Sequence, residues 1–296
     1  AGSDSYDLVG GLVGLGVYAL ERLPRPGGRE CLERVIALLA ARAERTVEGV
    51  TWRTPQRYVP ADLRGQYPEG YYNLGIAHGV PGVVALLAAA ETVERWRRDL
   101  LDGAVAWLLA RQLPDGASRY AYTAAPGDPP TPARLGWCYG DLGVAVALLA
   151  AARRAAIADW ERAALALARF AASRSPESAE TVDAGLCHGT AGLLHLFNRA
   201  YQATGDPLLC DAALAWFERT LELRRPGEGV GGFLSWEPDE TGKKGWRSAP
   251  GLLTGAAGVG LALLAATTTV EPAWDRALLA EVPFPAETAE AATEEG

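Results

Sequence analysis

The sequence contains no methionine, few histidines and few cysteines. Among its 296 residues there are three His and four Cys, whereas 49% of the residues are hydrophobic. Four scattered cysteines are too few for a disulfide framework in a chain of this length, which favours reduced thiols or metal ligands. The hydrophobic content excludes a disordered chain. The missing Met, together with the start Ala1-Gly2-Ser3, predicts a processed or excised piece of a longer product.

Positive charge is also scarce. The formal net charge is −8, and the last sixteen residues contain five Glu but no Lys or Arg. We therefore expect an acidic, disordered tail over residues 282–296 behind a nearly neutral body. Such a body excludes a strongly basic face, so nucleic acid is not an expected partner.

Signals for export or membrane insertion are missing. No charged segment precedes an apolar stretch near the start, which argues against a signal peptide. Only residues 251–270 are uncharged over a length that could span a bilayer. This segment contains four Gly and three consecutive Thr. We expect it to be a helix buried on all sides within a soluble protein, and the chain not to be an integral membrane protein.

A Gly-x-x-Gly step occurs five times, each time before a run rich in Ala, Leu and Val. The steps begin at Gly11, Gly79, Gly140, Gly189 and Gly255. Amphipathic stretches, such as residues 94–113, 159–173 and 206–223, follow most of these runs, and strand patterns are almost absent. The pattern predicts an all-α protein, an α/α toroid of helical hairpins with apolar inner and amphipathic outer helices. We expect the toroid to form a single domain over residues 1–281.

The connections between the predicted helices have two lengths. Turns within a hairpin are short, whereas the segments leading to the next inner helix are long, about residues 50–73, 114–136, 175–186 and 224–250. Long connections gather on one face and are often functional. Their aromatic residues are Trp52, Tyr58, Tyr67, Tyr71, Tyr72, Tyr120, Tyr122, Phe233, Trp236 and Trp246. We expect these residues to form a surface for an extended peptide or a sugar chain.

Chemically reactive residues precede four of the five glycine steps. They are Asp7, four residues before Gly11; His78, directly before Gly79; Cys138, two before Gly140; and the pair Cys187-His188, directly before Gly189. In a toroid the N-terminal ends of the inner helices converge on the axis. We therefore expect these side chains to meet in one shallow cavity on the long-loop face.

Cys138, Cys187 and His188 are a plausible zinc set. Thiolate and imidazole suit Zn²⁺, and three protein ligands leave a fourth position open, as in catalytic zinc sites. Helix N-termini also favour thiolate over thiol. The alternative is that Cys138 and Cys187 are buried structural cysteines.

The remaining cysteines and one histidine fall outside this register. Cys31 and Cys210 lie within predicted outer helices, where we expect them to be structural packing residues. His195 stands seven residues into its inner helix and is expected to be a core histidine with its hydrogen bonds satisfied.

Three segments together resemble the lanthionine synthetase C-like (LanC) cyclases. They are YYNLGIAHGVPG (residues 71–82), GWCYG (136–140) and GLCHGTAG (185–192), and the resemblance extends over residues 7–266. It places one catalytic zinc on Cys138, Cys187 and His188. It places the family's active-site histidine on His78 and its acidic partner on Asp7. Arg134 and Tyr139 match two further conserved positions. The family usually has seven hairpins, whereas five are counted here, so the ring is incomplete or closed differently.

The resemblance implies a zinc-dependent lanthipeptide cyclase. Such an enzyme adds a peptide cysteine to a dehydroalanine or dehydrobutyrine of the same peptide and forms a (methyl)lanthionine thioether ring. His78 would carry the proton to the α-carbon, Asp7 would orient it, and Arg134 or Tyr139 would stabilise the enolate oxygen. Expected partners are the dehydrated precursor peptide, a dehydratase and an exporter. The enzyme would be free in the cytoplasm or peripheral to the membrane through that biosynthetic complex.

Four alternatives remain open. The chain could be the cyclase part of a fused lanthipeptide synthetase, or a LanC-like protein that binds glutathione or a peptide without catalysis. A zinc protein prenyltransferase shares the α/α barrel, and the segment from Trp107 to Gly116 is faintly similar to its repeats, but its Asp/Cys/His metal set is not matched. A toroidal glycosidase needs paired carboxylates, and Asp7 stands alone at the helix starts.

Overall fold

Five inner helices begin directly after the five predicted glycines. The computed structural model describes residues 5–90, 95–114 and 116–284. The inner helices are α1 (Leu12–Leu20), α3 (Val80–Ala89), α5 (Asp141–Ala155), α8 (Thr190–Thr204) and α10 (Ala256–Thr267). Each packs against the next along the chain, so the apolar runs form the inner wall of a ring.

Four outer helices cover this wall. They are α2 (Gly28–Arg42), α4 (Arg95–Leu109), α6 (Ala158–Ala172) and α9 (Pro207–Glu222), and a short helix, α7 (Pro176–Ala179), lies in one connection. Each outer helix packs on the inner helix that precedes it. The arrangement confirms the predicted α/α toroid. Of the predicted acidic tail, residues 285–296 lie outside the described part of the chain.

After α10 the described chain continues as a C-terminal segment that contacts other hairpins. Within residues 268–284 this segment contains a 3-10 helix, Ala273–Leu278, that packs against α1. The Arg276 guanidinium pairs with Glu21, with Nε 2.8 Å from Oε1, and Trp137 Nε1 donates to the Leu278 carbonyl at 2.9 Å. The segment therefore links the last part of the chain to the first and third hairpins.

The expectation of a fully buried helix within residues 251–270 is wrong. In this segment α10 spans twelve residues, Leu264 is 58% exposed and Val270 is 73% exposed. The reason is that α10 has its main packing contact with α8 among the helices that the structure describes, so much of its remaining surface is left uncovered. None of the helices in the described ranges has the length and apolar character needed to cross a bilayer.

The loops contain short antiparallel strands that the sequence patterns do not show. They are β1 (Glu44–Thr46) with β2 (Gly49–Thr51); β3 (Arg53–Thr54), β4 (Tyr71–Asn73) and β5 (Thr123–Ala124) in one sheet; and β6 (Ser235–Pro238) with β7 (Lys244–Arg247). In the three-stranded sheet Tyr72 pairs with Arg53 and Ala124. Strands of two to four residues are too short for a readable alternation. They nevertheless fix the loops above the ring.

The aromatic residues of the long loops are only partly a surface. Five of the ten are less than 10% exposed: Trp52, Tyr67, Tyr71, Tyr120 and Phe233. Trp52 Nε1, for example, donates to the carbonyl oxygen of Leu39 on α2 at 2.8 Å. Tyr58 and Trp246 are exposed. The expectation that these ten residues form a surface is therefore wrong for half of them, because those five side chains are buried within the loops or against the helices.

The three residues outside the register, His195, Cys31 and Cys210, differ in burial. His195 is buried, and its Nε2 lies 3.0 Å from Asp275 Oδ2, which confirms a core histidine. Its Nδ1 has no hydrogen-bond partner within the described part of the chain, so the imidazole is only half satisfied there. Cys31 is on α2 as predicted, but it is exposed and not a packing residue; Cys210 on α9 is partly buried.

A buried ion pair joins the C-terminal 3-10 helix to α8. Arg199 Nε lies 3.0 Å from Asp275 Oδ2, and the two side chains are 2% and 0% exposed. Asp275→Ala would remove the buried carboxylate and leave Arg199 with the exposed Glu271 as an ionic partner and with Gln202 Oε1 at 3.3 Å from its Nη1. We expect a loss of about 3 kcal/mol in the free energy of unfolding, measured by urea denaturation.

The matched control is Asp159→Ala, which removes an exposed ion pair with Arg162 on α6. This change should cost less than about 0.5 kcal/mol. Equal losses for the two variants would contradict a structural role for the buried pair.

Candidate active site

Neighbouring hairpins approach each other closely just before their inner helices. We call the six residues before each capping glycine the mouth of that hairpin. Gly75, Gly136 and Gly185 stand at the same place in the second, third and fourth mouths. A Cβ on Gly75 would lie 2.2 Å from the Cys138 carbonyl oxygen, and one on Gly185 would lie 3.0 Å from Thr254 Cα. Only glycine permits this approach without movement of the neighbouring backbone.

Backbone hydrogen bonds join the mouths across this short gap. The N–H groups of Trp137 and Cys138 donate to the Cys187 carbonyl at 3.0 and 3.1 Å, and the Cys187 N–H donates to Leu253 at 2.8 Å. Residues that are far apart in sequence are therefore fixed side by side.

The third and fourth mouths together form a candidate metal site. One ligand atom each from Cys138, Cys187 and His188 lies within 4.8 Å of the others, and Cys138 Sγ is 3.8 Å from His188 Nδ1. Cys138 is buried, and Cys187 and His188 are partly buried. Two cysteines and one histidine match the ligands of catalytic zinc sites, in which three protein ligands leave the fourth coordination position open. The group could therefore hold a metal ion.

The two thiols influence each other strongly. The hydrogen bond between them holds the pKa of Cys138 well below its usual value, with His188 and Arg134 acting in the same direction. The same hydrogen bond raises the pKa of Cys187. One thiolate is therefore favoured before any cation is added.

His78 and Asp7 form a second pair at the boundary of the first two mouths. His78 Nδ1 lies 3.0 Å from Asp7 Oδ2, and the Gly10 N–H donates to Asp7 Oδ1 at 2.7 Å. Burial opposes ionisation of the carboxyl, but these hydrogen bonds outweigh it and lower the pKa of Asp7. The carboxylate thus fixes Nδ1 and leaves His78 Nε2 for another partner. The His78 side chain is 42% exposed.

One cavity collects most of the predicted residues. Its volume is about 620 Å³. Six of the seven predicted residues line it: His78, Arg134, Cys138, Tyr139, Cys187 and His188. Asp7 is absent from this wall and instead lines an adjoining cavity together with His78 and Tyr139. The strand β6 and the start of β7 contribute Trp236, Glu237 and Lys244 to the lining of the larger cavity.

Two side chains that the sequence analysis did not single out hold Tyr139 and Arg134. The buried Asn73 donates from Nδ2 to the Tyr139 hydroxyl at 2.9 Å and accepts from the Gly75 N–H at 2.9 Å. Tyr122 accepts from Arg134 Nε at 3.2 Å and packs edge-on against the Tyr139 ring. Because Tyr139 is largely buried, its pKa is raised and it stays a neutral hydroxyl.

A positional signal for Asn73 was present in the sequence. Asn73, Arg134 and Asp183 each stand six residues before a capping glycine, at the first position of a mouth. Asp183 accepts from the Gly185 N–H at 3.0 Å and from the Trp236 N–H at 2.8 Å, so it ties β6 to the fourth mouth. Aligning the mouths at this position would have found all three. Tyr122 has no such signal, because its role depends on how the loop folds back.

Comparisons with known proteins identify the family to which this fold belongs. The family model described as lanthionine synthetase C-like protein matches residues 1–279. Among solved structures, nisin cyclase is similar with a TM-score of 0.73 and 19% sequence identity over 95% of this chain and 68% of that chain. At that identity the likeness concerns the fold. Among curated proteins no sequence matches. Because the family model covers nearly all of the sequence, the chain belongs to the lanthionine synthetase C-like family.

Proposed function

We propose that this chain is a zinc-dependent lanthipeptide cyclase. Its substrate would be a dehydrated precursor peptide, in which a cysteine thiol adds to a dehydroalanine or dehydrobutyrine and forms a (methyl)lanthionine ring. The observation that carries the proposal is one cavity whose wall combines a Cys-Cys-His metal site with a histidine held by a carboxylate. The name of the similar nisin cyclase points to the same class of reaction.

Cys138, Cys187 and His188 would hold the zinc ion. Their donor set fits this metal, and as three ligands they leave a fourth position for the peptide sulfur. Zinc, when bound, would make the peptide thiol a thiolate at neutral pH, which a free thiol with a pKa near 8.5 largely is not.

His78 is the proposed proton carrier. As the sulfur–β-carbon bond forms, the carbon–carbon double bond breaks and its electron pair moves towards the carbonyl oxygen. The α-carbon must then receive one proton, which balances the proton lost by the thiol. A histidine gives up and regains a proton readily near neutral pH. Asp7 holds Nδ1, so Nε2 is the atom that would deliver the proton.

Tyr139 and Arg134 are proposed to stabilise the enolate oxygen. Both line the cavity that contains His78 and the metal ligands. Because Asn73 donates to the Tyr139 oxygen, the Tyr139 hydroxyl hydrogen is free to be donated elsewhere. Hydrogen bonds aimed at a developing negative charge are among the larger contributions to catalysis.

The reaction requires partners that supply and remove its peptide. Dehydroamino acids arise by loss of water from Ser or Thr, so a dehydratase must act before this enzyme. An exporter would then remove the finished peptide, and the enzyme would work in the cytoplasm.

Substitutions of His78 and Cys187 distinguish proton transfer from metal binding. His78→Ala should retain one zinc per chain and lose about 10²–10⁴-fold in kcat, because the proton carrier is gone. Cys187→Ala should lose both zinc and ring formation. Zinc content is measured by elemental analysis, and ring formation by mass spectrometry after thiol alkylation.

The matched control is Cys210→Ala, a partly buried cysteine on α9 that is remote from the metal ligands in the fold. It should keep both zinc and activity. Normal ring formation by the Cys187→Ala protein would rule out the role of zinc.

Asn73 and Tyr139 should act as one unit. Asn73→Asp keeps the acceptor for the Gly75 N–H but replaces the donor to Tyr139 with an acceptor, which draws the tyrosine hydrogen away from the substrate. We expect Asn73→Asp and Tyr139→Phe each to lower kcat about 10- to 100-fold with little change in KM. The double variant should be no slower than Tyr139→Phe alone.

Asn198→Asp, on α8, is the matched control for the amide-to-carboxylate change. It should leave kcat unchanged. Multiplicative losses in the double variant of Asn73 and Tyr139 would show that Asn73 does not act through Tyr139.

A further inference from the structure

A second cavity adjoins the one that contains the metal ligands. Its volume is about 320 Å³, and His78 and Tyr139 line both cavities. The two residues to which we assign proton delivery and enolate stabilisation thus stand at the boundary. The metal ligands lie on one side of this boundary, and Asp7, Tyr58 and Tyr71 lie on the other.

The chemistry of ring closure limits where the peptide can run. The reacting sulfur must lie at the metal ligands, and the α-carbon of the dehydro residue must lie near His78. The chain between these two points becomes the ring and occupies the larger cavity. We call the residue bonded to the dehydro residue on the side away from the cysteine the outer neighbour. Its α-carbon lies about 3.8 Å from the α-carbon of the dehydro residue, and the peptide leads away from the ring at this point.

We propose that the second cavity binds the side chain of this outer neighbour and selects an apolar or aromatic residue over an acidic one. The proposal rests on the function proposed above. It assigns a specificity site of the peptide substrate to residues that are separate from the metal ligands.

The walls of the cavity carry this preference. Tyr58, Pro60 and Tyr71 offer two aromatic rings and a proline ring as apolar surface. Aromatic and apolar side chains pack favourably against such rings. Asp7 also lines the cavity, and its lowered pKa keeps it ionised at neutral pH. An acidic outer neighbour would meet this like charge and is disfavoured.

The wall that contains Tyr58 is fixed before a peptide arrives. Val59, Tyr67 and Tyr71 form a small buried cluster of their own beneath this segment. The Tyr67 hydroxyl donates to Asp128 Oδ2 at 2.7 Å, which fastens the segment to the next long loop. The cavity is therefore a shaped feature of the fold, because its walls are held by contacts that do not involve substrate.

The test uses three dehydrated peptides that differ only at the outer neighbour, which is Phe, Ala or Glu. Wild-type protein should give kcat/KM values in the order Phe, Ala, Glu. Tyr58→Ala should reduce the preference for Phe over Ala by about three- to tenfold, because one aromatic wall is lost. Tyr58→Phe keeps the ring and should keep the preference. Tyr18→Ala, which removes an exposed tyrosine on α1, should leave the preference and the activity unchanged.

An equal loss on all three peptides in Tyr58→Ala, or an unchanged preference for Phe, would overturn the specificity site. If the wild-type protein turns over none of the peptides, the proposed function fails, and dissociation constants for the same peptides still test the site. A preference for Phe in binding that is lost in Tyr58→Ala supports the site. Its absence overturns it.

Discussion

The close approach of neighbouring mouths is the constraint on which the site depends. A Cβ on Gly75 would lie 2.2 Å from the Cys138 carbonyl oxygen, so no other residue fits there without moving the backbone. The same approach lets the Cys187 carbonyl accept from the Trp137 and Cys138 N–H groups. Glycine costs conformational entropy on folding. Here the glycines let the backbones of neighbouring mouths form hydrogen bonds. Side chains from successive hairpins are thereby brought together.

The first and last mouths depart from this pattern, and both departures are informative. Asp7 occupies the place that glycine has in the next three mouths, and its carboxylate reaches His78 of the second mouth at 3.0 Å. The chain thus uses a position reserved for close packing to supply a charge. The fifth mouth contacts the fourth at Leu253 and Thr254, but a Cβ on Gly251 would meet nothing within 4 Å, because no further mouth packs over this glycine among the residues described. The same lack of a neighbour leaves one side of α10 exposed.

The sequence predicted the helical hairpins and their starts well, because capping glycines and apolar runs are local signals. The shared register also predicted that Cys138, Cys187 and His188 would meet. The sequence did not predict the strands β3, β4 and β5, which have only two or three residues and form through contacts between loops. It misplaced buried aromatic residues such as Tyr120 on a surface, since burial of a loop residue depends on tertiary packing. Asn73 was missed, although the sequence shows that it stands six residues before a capping glycine, as Arg134 and Asp183 do.

The proposed reaction closes thioether rings in this cavity, with zinc held by two cysteines and a histidine. The most direct measurement incubates the zinc-loaded protein with a dehydrated peptide, alkylates the remaining thiols and records the mass. Ring closure leaves the peptide mass unchanged and removes one alkylatable thiol per ring. The account predicts this loss with zinc present and its absence after the metal is chelated. A peptide that binds but keeps every thiol alkylatable, or closes rings equally well without zinc, would contradict it.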